Sequence, residues 1–226
     1  MINLSKSLDF FDPSVLTSRC HVIGCGSVGG FVAELLVRFG VTRIALYDFD
    51  TVEDKNVANQ IFTYEDVGMN KCDATLRILK RINPEIDKFV KVYRDGYTNQ
   101  SLSGHVFLCV DDIDLRRNIV SNNFMNINID SMYDFRTRLT DSQHFAADWS
   151  DKKQVENLLK TMNFSNEDAE KGTEVSACGV SLCVAPTVRM VAEIGVMNFI
   201  NFVKGDGIKN TVFIDTKRMN IMAFPE

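Results

Sequence analysis

The stretch that decides the fold is Arg19-Cys20-His21-Val22-Ile23-Gly24-Cys25-Gly26-Ser27-Val28-Gly29, which runs on through Gly40 and Ile44 to Tyr47 and closes at Asp48-Phe49-Asp50. Cys20 to Gly24 is a short apolar run, the length of a strand buried on both faces of a parallel sheet. Beyond it Val28, Phe31, Val32, Leu35, Leu36 and Phe39 recur at helical spacing and make one apolar face, and Gly40 stands where a left-handed helix stop belongs. Ile44 to Tyr47 supplies the second strand. A strand, a Gly-x-Gly-x-x-Gly turn, a helix, a strand and a terminal acid form the context that the glycine fingerprint requires. In that reading Gly24 permits the tight turn, Gly26 lets the backbone approach a phosphate, and Gly29 lets helix and strand pack closely. Ser27 opens the helix, whose amino-terminal N–H groups attract an anion. Asp48, 19 residues after Gly29, is placed for ribose hydroxyls.

Working outward, Asp12-Pro13 reads as a turn before the first strand. A polar loop spans Thr51 to Asn59, and a helix from Lys71 to Ile82 is stopped by Asn83-Pro84. Strands are expected at 88–93, 105–110 and 126–130, with a helix over Ile113 to Asn122, then further strands at Tyr133 to Leu139 and His144 to Trp149. Alternation of this kind predicts a Rossmann-like α/β fold, a mostly parallel sheet with helices on both faces. Residues 151–174 are polar, with one helical piece at Val155 to Met162, and 151–177 read as a mobile crossover segment within one domain spanning 1–226. Pro186 fits the first turn of a helix reaching about Val203, and Thr211 to Phe224 reads as a closing hairpin of antiparallel strands.

With 226 residues, the chain is long enough for one full core. Its net charge of −5 and lack of a basic run argue against nucleic acid as the main partner. No signal-peptide core opens the chain, and the apolar stretch Val188 to Val203 is interrupted by Arg189 and Glu193, so a membrane span is not expected. The six cysteines have no framework spacing, which favours free thiols in a cytoplasmic setting.

The residues after the second strand carry a resemblance. Asp48-Phe49-Asp50-Thr51-Val52-Glu53 leads to Asn56-Val57-Ala58-Asn59-Gln60, then Asp66-Val67-Gly68 and Lys71. With Cys109-Val110-Asp111-Asp112, Arg116 and the Cys178…Pro186 spacing, this closely resembles the ubiquitin-activating enzyme superfamily, particularly its ThiF- and MoeB-like adenylyltransferases. The resemblance covers about residues 15–224. It implies an ATP- and Mg²⁺-dependent enzyme that joins the C-terminal carboxylate of a small ubiquitin-like or sulfur-carrier protein to AMP, working as a homodimer. It assigns Lys71 to the phosphates, Asp111 to Mg²⁺ and Asp48 to the ribose. Asn56 and Gln60 would order the loop over the nucleotide, with Asp50, Asn59, Asp112 and Arg116 completing the nucleotide site. It also marks Cys178 as a candidate reactive thiol, against the alternative of a small apolar filler.

Two departures qualify that implication. The family has a phosphate-contacting arginine where Asn59 stands, and losing a charge-assisted contact costs on the order of 2–4 kcal/mol of transition-state stabilisation. Many relatives also carry an arginine near the N-terminus, whereas residues 1–18 offer Lys6. Either Arg116, Arg136 or Arg138 compensates, or activity is weakened. No Cys-x-x-Cys pair occurs, so structural zinc is not expected. Three other functions stay open: a non-catalytic binding or scaffold subunit, an adenylating enzyme for a small molecule, peptide or tRNA base, and, more distantly, a dinucleotide-dependent dehydrogenase.

Overall fold

The computed structural model describes residues 2–177 and 182–224; Cys178 lies outside them. Strands β1 (Cys20–Ile23), β2 (Ile44–Tyr47), β3 (Lys91–Tyr93), β4 (Gly104–Leu108) and β5 (Ile129–Thr137) pair in parallel. Strands β6 (Asp141–Asp148), β7 (Thr211–Asp215) and β8 (Asn220–Phe224) continue the sheet antiparallel, giving the order β3-β2-β1-β4-β5-β6-β7-β8. The fold class is thus the Rossmann-like one that the alternating pattern implied.

Burial follows the pleat. Val22, Leu46, Phe107, Tyr133 and Val212 point to one face, where they meet α1 (Ser27–Arg38), α2 (Lys71–Ile82) and α6 (Ala185–Lys204). Ile23, Tyr47, Leu108 and Met132 point to the other, against α3 (Ile113–Asn122) and α4 (Lys152–Lys160). Completely removing a Val, Leu, Ile or Phe side chain from water is worth roughly 1.5–3 kcal/mol, so the two apolar layers dominate the fold's stability.

The expected strands at 126–130 and 133–139 are one strand, β5, because Ile129 to Asp134 pairs with β4, across an irregularity at Gly104, and Ser131 to Thr137 pairs with β6. The strand expected over 88–93 shortens to β3, since Ile86–Lys88 forms a 3-10 turn. The polar segment after residue 151 holds α4, anchored by Val155 and Leu158, and a second helix, α5 (Asn166–Lys171). Its Asp151 and Ser165 N-caps are the local signals for both.

The strand order positions the site. From β1 the chain steps through β2 to β3, then returns across β1 to place β4 on its other side. The connections after β1 and β4 therefore leave in opposite directions, opening a crevice at the carboxyl ends of these strands.

Candidate functional site

The glycine turn lies on one side of that crevice. Gly24 has φ +92°, a left-handed conformation that a side chain would strain. A Cβ on Gly29 would fall 1.8 Å from the Gly24 carbonyl oxygen, so helix α1 can close on β1 only with glycine there. Gly26 differs: a Cβ would meet nothing within 4 Å, leaving open space over the backbone at the first turn of α1. Ser27 begins that helix.

Asp48 ties the turn to the second strand. Its carboxylate accepts the Cys25 N–H at 2.7 Å and the Asp50 N–H at 2.9 Å, and the residue is 9% exposed. Burial raises its pKa, opposed by these two backbone donors and by Lys71. The Lys71 ammonium sits 2.8 Å from the Asp50 carboxylate, with the lysine side chain 11% exposed. Asn70, which the sequence reading passed over, organises this corner. Its Oδ1 caps α2 by accepting the Cys72 N–H at 3.0 Å, while its Nδ2 donates to the Asp48 and Asp50 carbonyls at 3.2 and 3.1 Å. An Asn immediately before a helical run was the available signal.

The loop between Asp50 and Lys71 is held from within. Asn56 Oδ1 accepts the Glu53 N–H at 2.9 Å. Asp66, fully buried, accepts from the Thr63 N–H and hydroxyl and pairs with Arg77 at 2.6 Å. Asn59 donates to the Cys183 carbonyl at 3.5 Å, and Gln60 Oε1 is buried with no hydrogen-bond partner among the described residues.

Across the crevice, Cys109 follows β4 and donates its N–H to the Ile23 carbonyl at 2.8 Å. Asp111 is exposed, and its carboxylate makes no hydrogen bond or ion pair among the described residues. Asp112 caps α3, accepting from the Asp114 and Leu115 N–H groups and from Asn166 Nδ2 at 3.0 Å. The Asn166 bond leads in lowering its pKa. Arg116 is turned inward: it is 6% exposed and spends its guanidinium on Asp134 and the carbonyls of Val110 and Phe135. Arg136 shares Asp134 at 2.7 Å and donates to Thr161. Burial raises the Asp134 pKa, but the two guanidinium charges outweigh it and lower the value overall. Of the three arginines weighed as substitutes for the one missing at position 59, Arg138 is the exposed one, and its side chain is unpaired among the described residues.

Among the described residues Cys20, Cys25, Cys72, Cys109 and Cys183 are free. Among the described residues no three His, Cys, Asp or Glu side chains are arranged to hold a metal, and no helix is long and apolar enough to cross a membrane.

Sheet order, switch-point crevice and glycine turn define the class as a Rossmann-like α/β protein with a candidate site at the carboxyl ends of β1 and β4. Within that class the assignment is specific: residues 12–226 match the ThiF family model, and the chain belongs to the ThiF family. It is 45% identical over 65 residues to ubiquitin-like modifier-activating enzyme 5 of Arabidopsis thaliana, covering 29% of this chain and 15% of that protein. The enzyme of the same name from Bombyx mori is 33% identical over 111 residues, covering 42% of this chain and 28% of that protein. Among solved structures, E. coli MccB with AMPCPP and MccA superposes with a TM-score of 0.69 at 18% identity, covering 93% of this chain and 64% of that one. PaaA superposes at 0.70 with 16% identity, covering 93% and 65%. These likenesses establish the fold. The aligned segments span well under a third of these two activating enzymes.

Proposed function

We propose that the chain is an ATP-dependent adenylyltransferase that activates the C-terminal carboxylate of a small ubiquitin-like or sulfur-carrier protein, or of a peptide, as an acyl adenylate. The observation that supports it most is the open space over Gly26 beside the Asp48 carboxylate and the Asp50-held Lys71 ammonium, with the exposed Asp111 just past the carboxyl end of the neighbouring strand β4. The family membership and the MccB complex with AMPCPP and MccA point the same way.

In this reading the N–H groups at the start of α1 receive phosphate oxygens above Gly26, where a side chain would intrude. Asp48, already fixed by two backbone donors, accepts from the ribose hydroxyls. Lys71, steered by Asp50, presents a point charge to the phosphates. A carboxylate oxygen of the partner attacks the α-phosphorus; the new O–P bond forms as the bond to the β-phosphate oxygen breaks and pyrophosphate leaves. This chemistry asks for charge neutralisation and alignment more than covalent help. A hard, unpaired carboxylate at Asp111 suits Mg²⁺, which when bound supplies neutralising charge to phosphate oxygens. Arg116 is committed to Asp134 and serves the site by fixing the end of β4 through the Val110 carbonyl. A cytoplasmic homodimer belongs to the same reading, supported by the free thiols and the resemblance; sedimentation at micromolar concentration tests the dimer.

Pyrophosphate exchange into ATP, run with Gly-Gly-terminated carrier proteins, tests the reaction. Exchange that depends on carrier, Mg²⁺ and Lys71 is expected; exchange unchanged in Lys71→Ala and Asp111→Ala would exclude the assignment. One observation favours a second reading. Asn59 brings no charge and is engaged with the Cys183 carbonyl, which fits a weakened member that binds nucleotide as a scaffold subunit. That reading predicts ATP binding without AMP formation.

A further inference from the structure

Directly beneath the glycine turn two thiols touch. Cys25 Sγ and Cys72 Sγ lie 3.7 Å apart, and both residues are fully buried. They come from the two elements that build the site: Cys25 stands between Gly24 and Gly26, and Cys72 follows Lys71 in the first turn of α2. Their surroundings are the backbone of the acidic corner. Cys25 Sγ faces the Tyr47 carbonyl at 3.9 Å, and Cys72 Sγ faces the Asp48 and Tyr93 carbonyls at 3.6 and 3.8 Å.

We propose that Cys25 and Cys72 form a disulfide modification site that, when oxidised, locks the glycine turn to helix α2 and disables the nucleotide site. Two S–H bonds break and one S–S bond forms; two electrons and two protons pass to a two-electron oxidant. A hydroperoxide is reduced to water and the corresponding alcohol, and a diazene such as diamide to its hydrazine. The sulfurs must close by about 1.6 Å to reach the ~2.05 Å of a disulfide. The turn can give, because glycine flanks Cys25 on both sides and the space over Gly26 is open. That movement is not neutral for the site. The Cys25 N–H is one of the two donors fixing the Asp48 carboxylate, and Lys71 is the chain neighbour of Cys72. Drawing the sulfurs together displaces both.

The pair is guarded as well as placed. The bond to Cys72 and then burial push the Cys25 thiol well above the ordinary range, so little thiolate exists while the turn is closed. Oxidation therefore proceeds from the opened turn, and a nucleotide bracing the turn slows it. The loss of nucleotide binding and the protection by nucleotide rest on the nucleotide reading; the thiol contact and its oxidation do not.

The test treats the full chain with diamide, with and without ATP, and maps linked peptides by mass spectrometry without reduction. A Cys25–Cys72 linked peptide 2 Da lighter than its parts, reversed by dithiothreitol and retarded by ATP, is expected. Hydrogen exchange of residues 24–29 and 70–73 should change on oxidation, ATP affinity should fall at least tenfold, and Cys72→Ala should show neither change with diamide. Absence of the linked peptide under conditions that oxidise other cysteines, or a linked peptide with exchange unaltered, overturns the proposal. Failure of the reduced chain to bind ATP instead defeats the nucleotide reading, while the linked peptide and the exchange still decide the thiol pair.

Discussion

In the proposed reaction Lys71 and Asn59 are the residues on which the chemistry turns, one by presence and one by substitution. Lys71 is held by Asp50 and opened to solvent by only a small fraction of its side chain, so its ammonium is oriented before any ligand arrives. Replacing it with alanine should lower pyrophosphate exchange about 10²–10³-fold, the usual effect of removing one donor from developing charge. Lys71→Arg should rescue part of it, since the charge returns in a different geometry. Asn59→Arg is the complementary experiment: if the missing guanidinium limits the reaction, exchange should rise by about 10-fold or more, whereas an unchanged rate would assign that role to Arg138 or another cation. Lys71 and Asn59 were legible in the sequence through the resemblance carried by the residues after Asp48. The inward commitment of Arg116 was not, because its partner Asp134 lies 18 residues away on another element and nothing local announces a buried pair.

At the scale of elements, the glycines of one turn do different work, and substitution separates them. Gly29→Ala forces a Cβ onto the Gly24 carbonyl and should destabilise the fold by about 3 kcal/mol or prevent its accumulation. Gly26→Ala meets open space, so thermal stability should drop by about 1 kcal/mol or less while ATP affinity falls at least tenfold. Equal losses of stability in both variants, read by calorimetric melting, would remove the distinction between closure and cradle. Across the crevice, Asp134→Ala would leave the buried Arg116 guanidinium and the partly buried Arg136 one without their carboxylate, and a loss of about 3–5 kcal/mol in denaturant unfolding is expected. The first βαβ unit was readable because period, glycines and acid agree locally. The single long β5 was not: the two expected strands break at Ser131 and Met132, and only pairing with β4 on one side and β6 on the other carries the strand through them.

The whole molecule carries an acid sensitivity that the site does not reveal. His21, His105 and His144 are all buried, and burial lowers each pKa from 6.5 to about 4. Asp130, 3.7 Å from the His105 ring, opposes that lowering without reversing it. Because the unfolded chain takes up protons that the folded one excludes between pH 6.5 and about 4, stability is complete above that window and is lost as pH falls through it. Each histidine contributes on the order of 3 kcal/mol at the full shift, so melting temperature should fall steeply below pH 6. A flat profile from pH 7 to 5 would contradict the burial. Three histidines scattered singly in sequence gave no sign of this, since their burial follows from strand pairing and not from local pattern. In the proposed function, a fold shared with dinucleotide enzymes is furnished for ATP by Lys71 and Asp111. Titration calorimetry of the full chain with Mg·ATP and with NAD tests it most directly. The account predicts saturable ATP binding that weakens at least tenfold in Lys71→Ala, with no binding of NAD at the same concentrations; NAD binding equal to or tighter than ATP, indifferent to Lys71, would contradict it.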